Sequence, residues 1–369
     1  MRTTTCVAAL PALCGMLLLV VGCGVTDRKL EGGKAPPPQT TAGGLLFKLD
    51  DKCSSPDGMC IGKDGYIYLS MNNKNTEFKD PCKIMRISPD DKLEDFSELP
   101  PHPDTKICSP LGLGFGSDGN LYVSDNQLFV KDAKMGTSRL IRIVIENGKA
   151  ARTEVVATGL NMANGLACKD DCVYVNDTTL GSDKPMPSGV YCFKISELKA
   201  DAPVKVTGLN DPHLILKVLT QNPDPLYQVG ANGLDFDSKG NMYVCNFGDA
   251  EVIKVTLDKD NKVTNSKSLA KGQGMLSCDG LHWSKEDDSL WVADFMGNAV
   301  FQINAESGKV TEIAKNKPCR MPDCFNGCLH APSECIRRGN KVYVSNIDIT
   351  YGPNVRHDAH TMSFIKFGK

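Results

Sequence analysis

Six residues recur at one position of a repeated phrase: Asp57, Leu111, Asn164, Asn232, Asp279 and Ser333. The first five stand directly before a glycine, and successive members are 54, 53, 68, 47 and 54 residues apart. Two carboxylates and two carboxamides among them offer hard oxygen donors and two formal negative charges. Brought together, such a set suits one hard divalent cation, with water completing about six to eight oxygen ligands. Calcium fits best, with zinc, magnesium or manganese as alternatives; zinc is disfavoured because no His or Cys shares the position. Asp-Gly and Asn-Gly are also common turn formers, since Asn and Asp tolerate left-handed backbone and bond their own main chain. One such pair is a weak ligand signal. Four in six equivalent places is a stronger one.

The elements that must position these residues are legible from the phrase itself, which is fullest at ANGLDFDSKGNMYVCNF, 231–247. An alternating run and a Gly- or Asp-containing turn lead into a second apolar run. A third strand follows, as in CKIMRIS, SRLIRIV and EVIKVTL, and hairpin turns such as ENGK or ESGK lead to a fourth. Four strands in each of six copies, at a period of about 50 residues, give an all-β fold: a six-bladed β-propeller with four antiparallel strands per blade. The sixth copy has third-strand material in TMSFIKF and no fourth strand after it. The segment GGLLFKLD, 43–50, precedes the first copy and has no blade of its own, so it is expected as the N-terminal strand closing the last blade. The longest interval is expected to carry an extra loop, about Ser196 to Pro225. In such a ring the first strands line the central channel, and the six recurring positions meet at one mouth.

The chain has 369 residues, 41% hydrophobic, with a net charge of −2 and no long basic block, which argues against a nucleic-acid surface. Its N-terminus reads as a targeting segment: Arg2, an apolar run from Val7 to Val21, then Val-Val-Gly-Cys ending at Cys23. That ending resembles the lipobox of bacterial lipoproteins, with Cys23 the lipidated residue; an ordinary secretory signal is the alternative. Residues 1–23 are read as the signal peptide, 24–43 as a flexible Pro-, Gly- and Thr-rich linker, and 44–369 as the propeller. The expectation is an exported protein, lipid-anchored to the bacterial cell envelope on its periplasmic or outer surface, with that anchor as its membrane contact. Thirteen cysteines follow Cys23. Export favours disulfides, and the odd number leaves one thiol over. Cys319, Cys324 and Cys328 lack the paired Cys-x2-Cys spacing of a zinc knuckle, so disulfide is preferred to zinc there.

The stretches Asn-Gly-Leu-Asp-Phe-Asp at 232–237 and Cys-Asp-Gly-Leu at 278–281 resemble the SMP-30/gluconolactonase/LRE-like family. Less specific are Pro-Asp-Gly-Met in the first copy and Ser-Glu-Cys-Ile with Val-Tyr-Val-Ser in the last. The similarity runs over roughly residues 45 to 369. It implies a six-bladed propeller with one divalent ion near its axis, held by a first-blade Glu, an Asn, an Asp and a further third-blade Asn. Blade order then makes Asn232 and Asp279 ligands and Asn164 the additional Asn. Asp57 stands where the Glu belongs, one methylene shorter and followed by Gly-Met instead of Gly-Pro.

The implied reaction is hydrolysis of a small-molecule lactone or similar ester, with Asp279 as ligand and base. His282, in DGLHW, and His330, before the sixth copy, are weaker candidates for touching substrate, and each suits a structural role better. Asp125, Asp177, Asn246, Asp294 and Asn346 recur after the second strand and are read mainly as turn caps. No Gly-x-Ser-x-Gly elbow and no P-loop is present. Two functions compete: a metal-dependent lactonase or esterase, and a non-catalytic propeller that binds a ligand or a protein. Paired Asn and Asp around an axis favour the first. Neither substrate identity nor oligomeric state has a readable signature.

Overall fold

The computed structural model describes residues 44–319, 323–355 and 358–366. The signal peptide with Cys23 and the linker, 1–43, lie outside them. The described strands form six sheets, arranged as the blades of an all-β propeller. The innermost strands are Pro56–Ile61, Pro110–Phe115, Ala163–Lys169, Ala231–Phe236, Leu281–Ser284 and Pro332–Arg338. Each runs antiparallel to a second strand that carries a large aromatic: Tyr68, Tyr122, Tyr174, Tyr243, Trp291 and Tyr343, each no more than 3% exposed. These rings fill the space between blades. A buried phenol also needs a hydrogen-bond partner. Three of these hydroxyls donate to an acid in their own hairpin turn, Tyr68 to Asp64, Tyr122 to Asp118 and Tyr243 to Asp237, at 2.8–2.9 Å.

The sixth blade is closed as expected. Gly44–Lys48 pairs antiparallel with Thr361–Lys366, with Gly44 opposite Phe364. The expectation for 196–225 needs correction, because it is not simply a loop. Val204–Lys205 adds a short parallel strand to the edge of blade 2, and Leu214–Thr220 is the outer strand of blade 3. From Leu216 onward the second of these alternates buried and exposed residues, as an outer strand does.

A buried polar clasp joins the last blade to the first. The Asp348 carboxylate lies 2.7 Å from Nδ1 of His330 and accepts a 2.7 Å bond from the Asn75 carboxamide. Asn75 also donates to the Asp348 carbonyl at 2.6 Å, and Nδ1 of His360 stands 3.5 Å from the carboxylate. Asn75 belongs to blade 1, whereas the other three belong to blade 6. All four are at most 3% exposed.

Around the axis runs a belt of glycines, Gly58, Gly112, Gly165, Gly233 and Gly280. None has positive φ, so left-handed turn geometry is not what selects glycine here. Close approach selects it. A Cβ on Gly233 would stand 2.5 Å from the Asp279 carbonyl oxygen and the Leu281 nitrogen of the next blade. One on Gly165 would overlap the Asn232 carbonyl. The same contact carries blade-to-blade hydrogen bonds, from Gly233 N–H to the Asp279 carbonyl and from Gly280 N–H to the Ser333 carbonyl, at 2.9 and 2.8 Å.

Among the described residues no helix is long and apolar enough to cross a membrane. No two of their cysteines are at disulfide distance. The thiols of Cys319, Cys324 and Cys328 lie together beside Ala359 and Phe325.

Candidate functional site

Five of the six recurring residues lie within the innermost strands and not in a loop before them; Asp279 alone precedes its strand. Pairing with the second strand slips just there, between Pro56 and Met59, Pro110 and Leu113, Ala163 and Leu166, Ala231 and Leu234, and Pro332 and Glu334. A bulge of this kind re-aims side chains. It frees the backbone to bond the next blade and places the preceding side chain at the mouth of the channel. Asp57, Asn164, Asn232 and Asp279 are 6–9% exposed.

The mouth concentrates carboxyl groups. Burial lifts the Asp57 carboxyl to about 7, moderated by a hydrogen bond from Ser333 of blade 6. Asp279 is pushed well above the ordinary carboxylate range, first by burial and then by the charges of Asp57 and Glu334, and Asn232 of blade 4 moderates this through a hydrogen bond. Asp57, Asn232, Ser333 and Asp279 are therefore brought together. Asn164 takes the equivalent bulge of blade 3, and among the described residues its carboxamide has no hydrogen-bond partner.

Glu334 is the functional candidate that sequence reading passed over. It stands where the other five blades have glycine, and its half-buried side chain reaches back beside Gly280. Burial raises its carboxyl well above the usual range, as do the charges of Asp57 and Asp235, against a hydrogen bond from the Cys335 N–H. The missed signal was the broken glycine column in the sixth copy. The neighbours acting on these three acids are other acids, a serine, an asparagine and a backbone N–H. No lysine or arginine is among them. Three carboxyls and the Asn232 carboxamide are hard oxygen donors, the kind a calcium-like cation prefers. Among the described residues no three His, Cys, Asp or Glu side chains are arranged to hold an ion by themselves, so the carboxamides and water would have to contribute.

Past the glycine belt the channel opens into a cavity of about 240 Å³ that also receives Glu334. His282 lies there, with Nδ1 3.2 Å from Asp235 Oδ2. Cys60 and Cys168 line the same space. His282 thus shares the cavity past the belt with Glu334 and not with Asp57 or Asp279, and His330 is in the clasp. The acids after the second strands act as ties. Asp177 accepts the N–H groups of Asn161 and Met162, Asp294 those of Leu276 and Ser277, all at 2.7–2.8 Å. Asp125 accepts the N–H of Ser109 and forms a buried ion pair with Arg139.

Comparison with solved structures gives a luciferin-regenerating enzyme at TM-score 0.53 and 12% identity, covering 86% of this chain and 91% of that one. A gluconolactonase from Xanthomonas campestris matches at TM-score 0.51 and 13% identity, over 87% and 97% of the two chains. A chain of a nidogen/laminin complex matches at 0.50 and 15%, over 76% and 86%. The chain has their fold. At these identities the likeness establishes the six-bladed architecture, in agreement with the resemblance read from the motifs, and nothing finer. No family model matches the chain, and no curated protein does.

Proposed function

We propose that this propeller is a divalent-cation-dependent hydrolase of a lactone or similar ester, acting at the mouth of its central channel. The observation that carries this reading is the convergence of Asp57, Asp279 and Glu334 without an internal counter-charge, beside the carboxamide of Asn232 and with Asn164 at the equivalent bulge of blade 3. A divalent ion held there would polarise the substrate carbonyl and make its bound water more acidic. Asp279 is the base in this scheme. It takes a proton from water as the water oxygen bonds to the acyl carbon, and returns it to the alkoxide oxygen when the acyl–oxygen bond breaks. Asn232 holds the Asp279 carboxyl in place, and Ser333 does the same for Asp57. Asn164, with its carboxamide uncommitted, is the residue to orient the substrate oxygen. The relationship to gluconolactonases in fold supports a lactone over other acyl compounds.

The test is elemental analysis of purified protein, followed by a lactone and aryl-ester panel with and without chelator. The expected result is about one calcium-like ion per chain and hydrolysis that chelator abolishes and calcium restores. Metal-free protein that hydrolyses nothing would favour the second reading, a non-catalytic binding propeller. That alternative rests on Asp57 standing in place of glutamate and on the fold shared with the nidogen/laminin chain. Export and anchoring through Cys23 belong to the same proposal: palmitate labelling in a bacterial host should mark the wild type and not Cys23→Ser.

A further inference from the structure

The loops that follow the second strands place aromatic and sulfur-bearing side chains at the end of the propeller that holds the carboxylates. Phe247 of blade 4, Phe295 and Met296 of blade 5 and Ile347 of blade 6 form one apolar cluster, each 4% exposed. Phe129 of blade 2, Tyr227 and Tyr351 pack against it and are only partly buried. In a ring of six, blade 2 faces blade 5 across the axis. A single cluster with members from both must pass over the mouth, and this one roofs it. The roof is held as a unit. Phe295 meets Phe247 and Tyr351 at 6.0 Å between ring centres, and the Tyr351 hydroxyl donates to the Leu226 carbonyl at 2.7 Å. The Asn354 carboxamide ties the blade 6 loop to blade 5 through Asn298 and the Phe295 carbonyl. Apolar character continues to the rim, where Leu226, Leu276 and Val355 are 47–51% exposed.

This surface is a poor match for a polyhydroxylated ligand. Sugar hydroxyls set against phenyl rings and a thioether would leave water without regaining hydrogen bonds. Aromatic faces and a flexible methionine instead accommodate alkyl or aryl groups. We infer that the substrate is a lactone or ester bearing an apolar alkyl or aryl substituent, which packs under this roof while its carbonyl meets the carboxylates. The inference rests on the hydrolase reading above and adds the substrate class to it. Phe129, Phe295 and Tyr351 are the specificity-determining side chains.

The experiment compares δ-gluconolactone, a series of γ-lactones with side chains from methyl to octyl, and phenyl acetate, all with calcium present. Binding of the corresponding N-unsubstituted γ-lactams, which resist hydrolysis, is measured in parallel by calorimetry. The expected kcat/KM rises roughly fourfold per added methylene until the roof is filled, and gluconolactone is the poorest substrate. Phe129→Ala should flatten that rise, whereas Phe129→Leu should restore most of it. Phe129 is partly exposed, and a melting curve verifies that both variants fold. A chain-length series that is flat, or a preference for gluconolactone, overturns this inference and leaves the hydrolase reading standing. Lactam binding that strengthens with chain length and weakens in Phe129→Ala, without hydrolysis of any ester, supports the apolar site and overturns the hydrolase reading. Absence of both hydrolysis and lactam binding overturns both.

Discussion

Two buried polar constellations sit at the same end of this propeller, and they treat charge in opposite ways. In the clasp, Asp348 lies against His330 and His360 and accepts from Asn75, so the acid meets bases and donors from its own chain. At the channel mouth, burial drives up the carboxyls of Asp57, Asp279 and Glu334, and the charge of Asp57 adds to the rise of the other two. Burial of an ionised group is tolerable only where it is paired or neutralised. The clasp finds its hydrogen-bond partners within the chain, and its acid serves the fold. The mouth must be neutralised from outside, and its acids cost stability until a cation or protons arrive. Proximity and burial alone would have ranked the two sites equally; the identity of the neighbours separates them.

That contrast can be broken by substitution. Asp279→Asn keeps shape and removes a charge and a base. Its expected cost is about 10²- to 10⁴-fold in kcat, while the metal-free protein melts no lower than wild type. Full activity with full metal content would remove Asp279 from the mechanism. Asp348→Ala should do the reverse. Leaving buried His330 and Asn75 without that carboxylate is expected to cost about 3 kcal/mol in urea unfolding, and folded protein below the transition should still bind calcium. A clasp variant as stable as wild type would show that the seam is held by strand pairing alone.

The smallest effect is a pH dependence. Asp57 has a carboxyl raised to about 7 in the folded state, against about 3.9 when unfolded. Its protonated form is thus favoured by folding. This contribution is complete below about pH 4 and is lost as pH rises through about 7. Metal-free protein should melt progressively lower from about pH 5 to 8, and calcium at a hundredfold excess over its Kd should return about 2.7 kcal/mol at the upper end. A flat profile with no calcium response would mean the mouth is not the charged site described.

The fold was readable because a propeller writes the same sentence six times, and the apolar alternation of inner and second strands survives every variation of the loops. Outer strands follow the repeat less closely: the sequence LILKVLT at Leu214–Thr220 sets an apolar Leu219 on the exposed side, and Val204–Lys205 is too short to carry a pattern. The position of Asp57, Asn164, Asn232 and Asp279 was legible, but the reason for the glycine after each was not. Sequence suggests a turn, and the structure has the next blade pressing on the Cα. Glu334 escaped for the same reason: with glycine read as turn grammar, its replacement seemed a lapse in the repeat and not a carboxylate delivered to the axis. His330 looked like a residue of the mouth because it precedes an inner strand, yet Asp348 draws it into the seam.

The pairing of Gly44 with Phe364 sets a schedule for biosynthesis. About 300 residues must be made after Gly44–Lys48 before that strand can find its partner, so the intervening blades wait as an open arc with bare edges. Long-range pairing of this kind is slow and leaves strands available to wrong neighbours. Nascent chains stalled a few residues short of Thr361–Lys366 should therefore be protease-sensitive along blade 6 while blades 2 to 5 already resist.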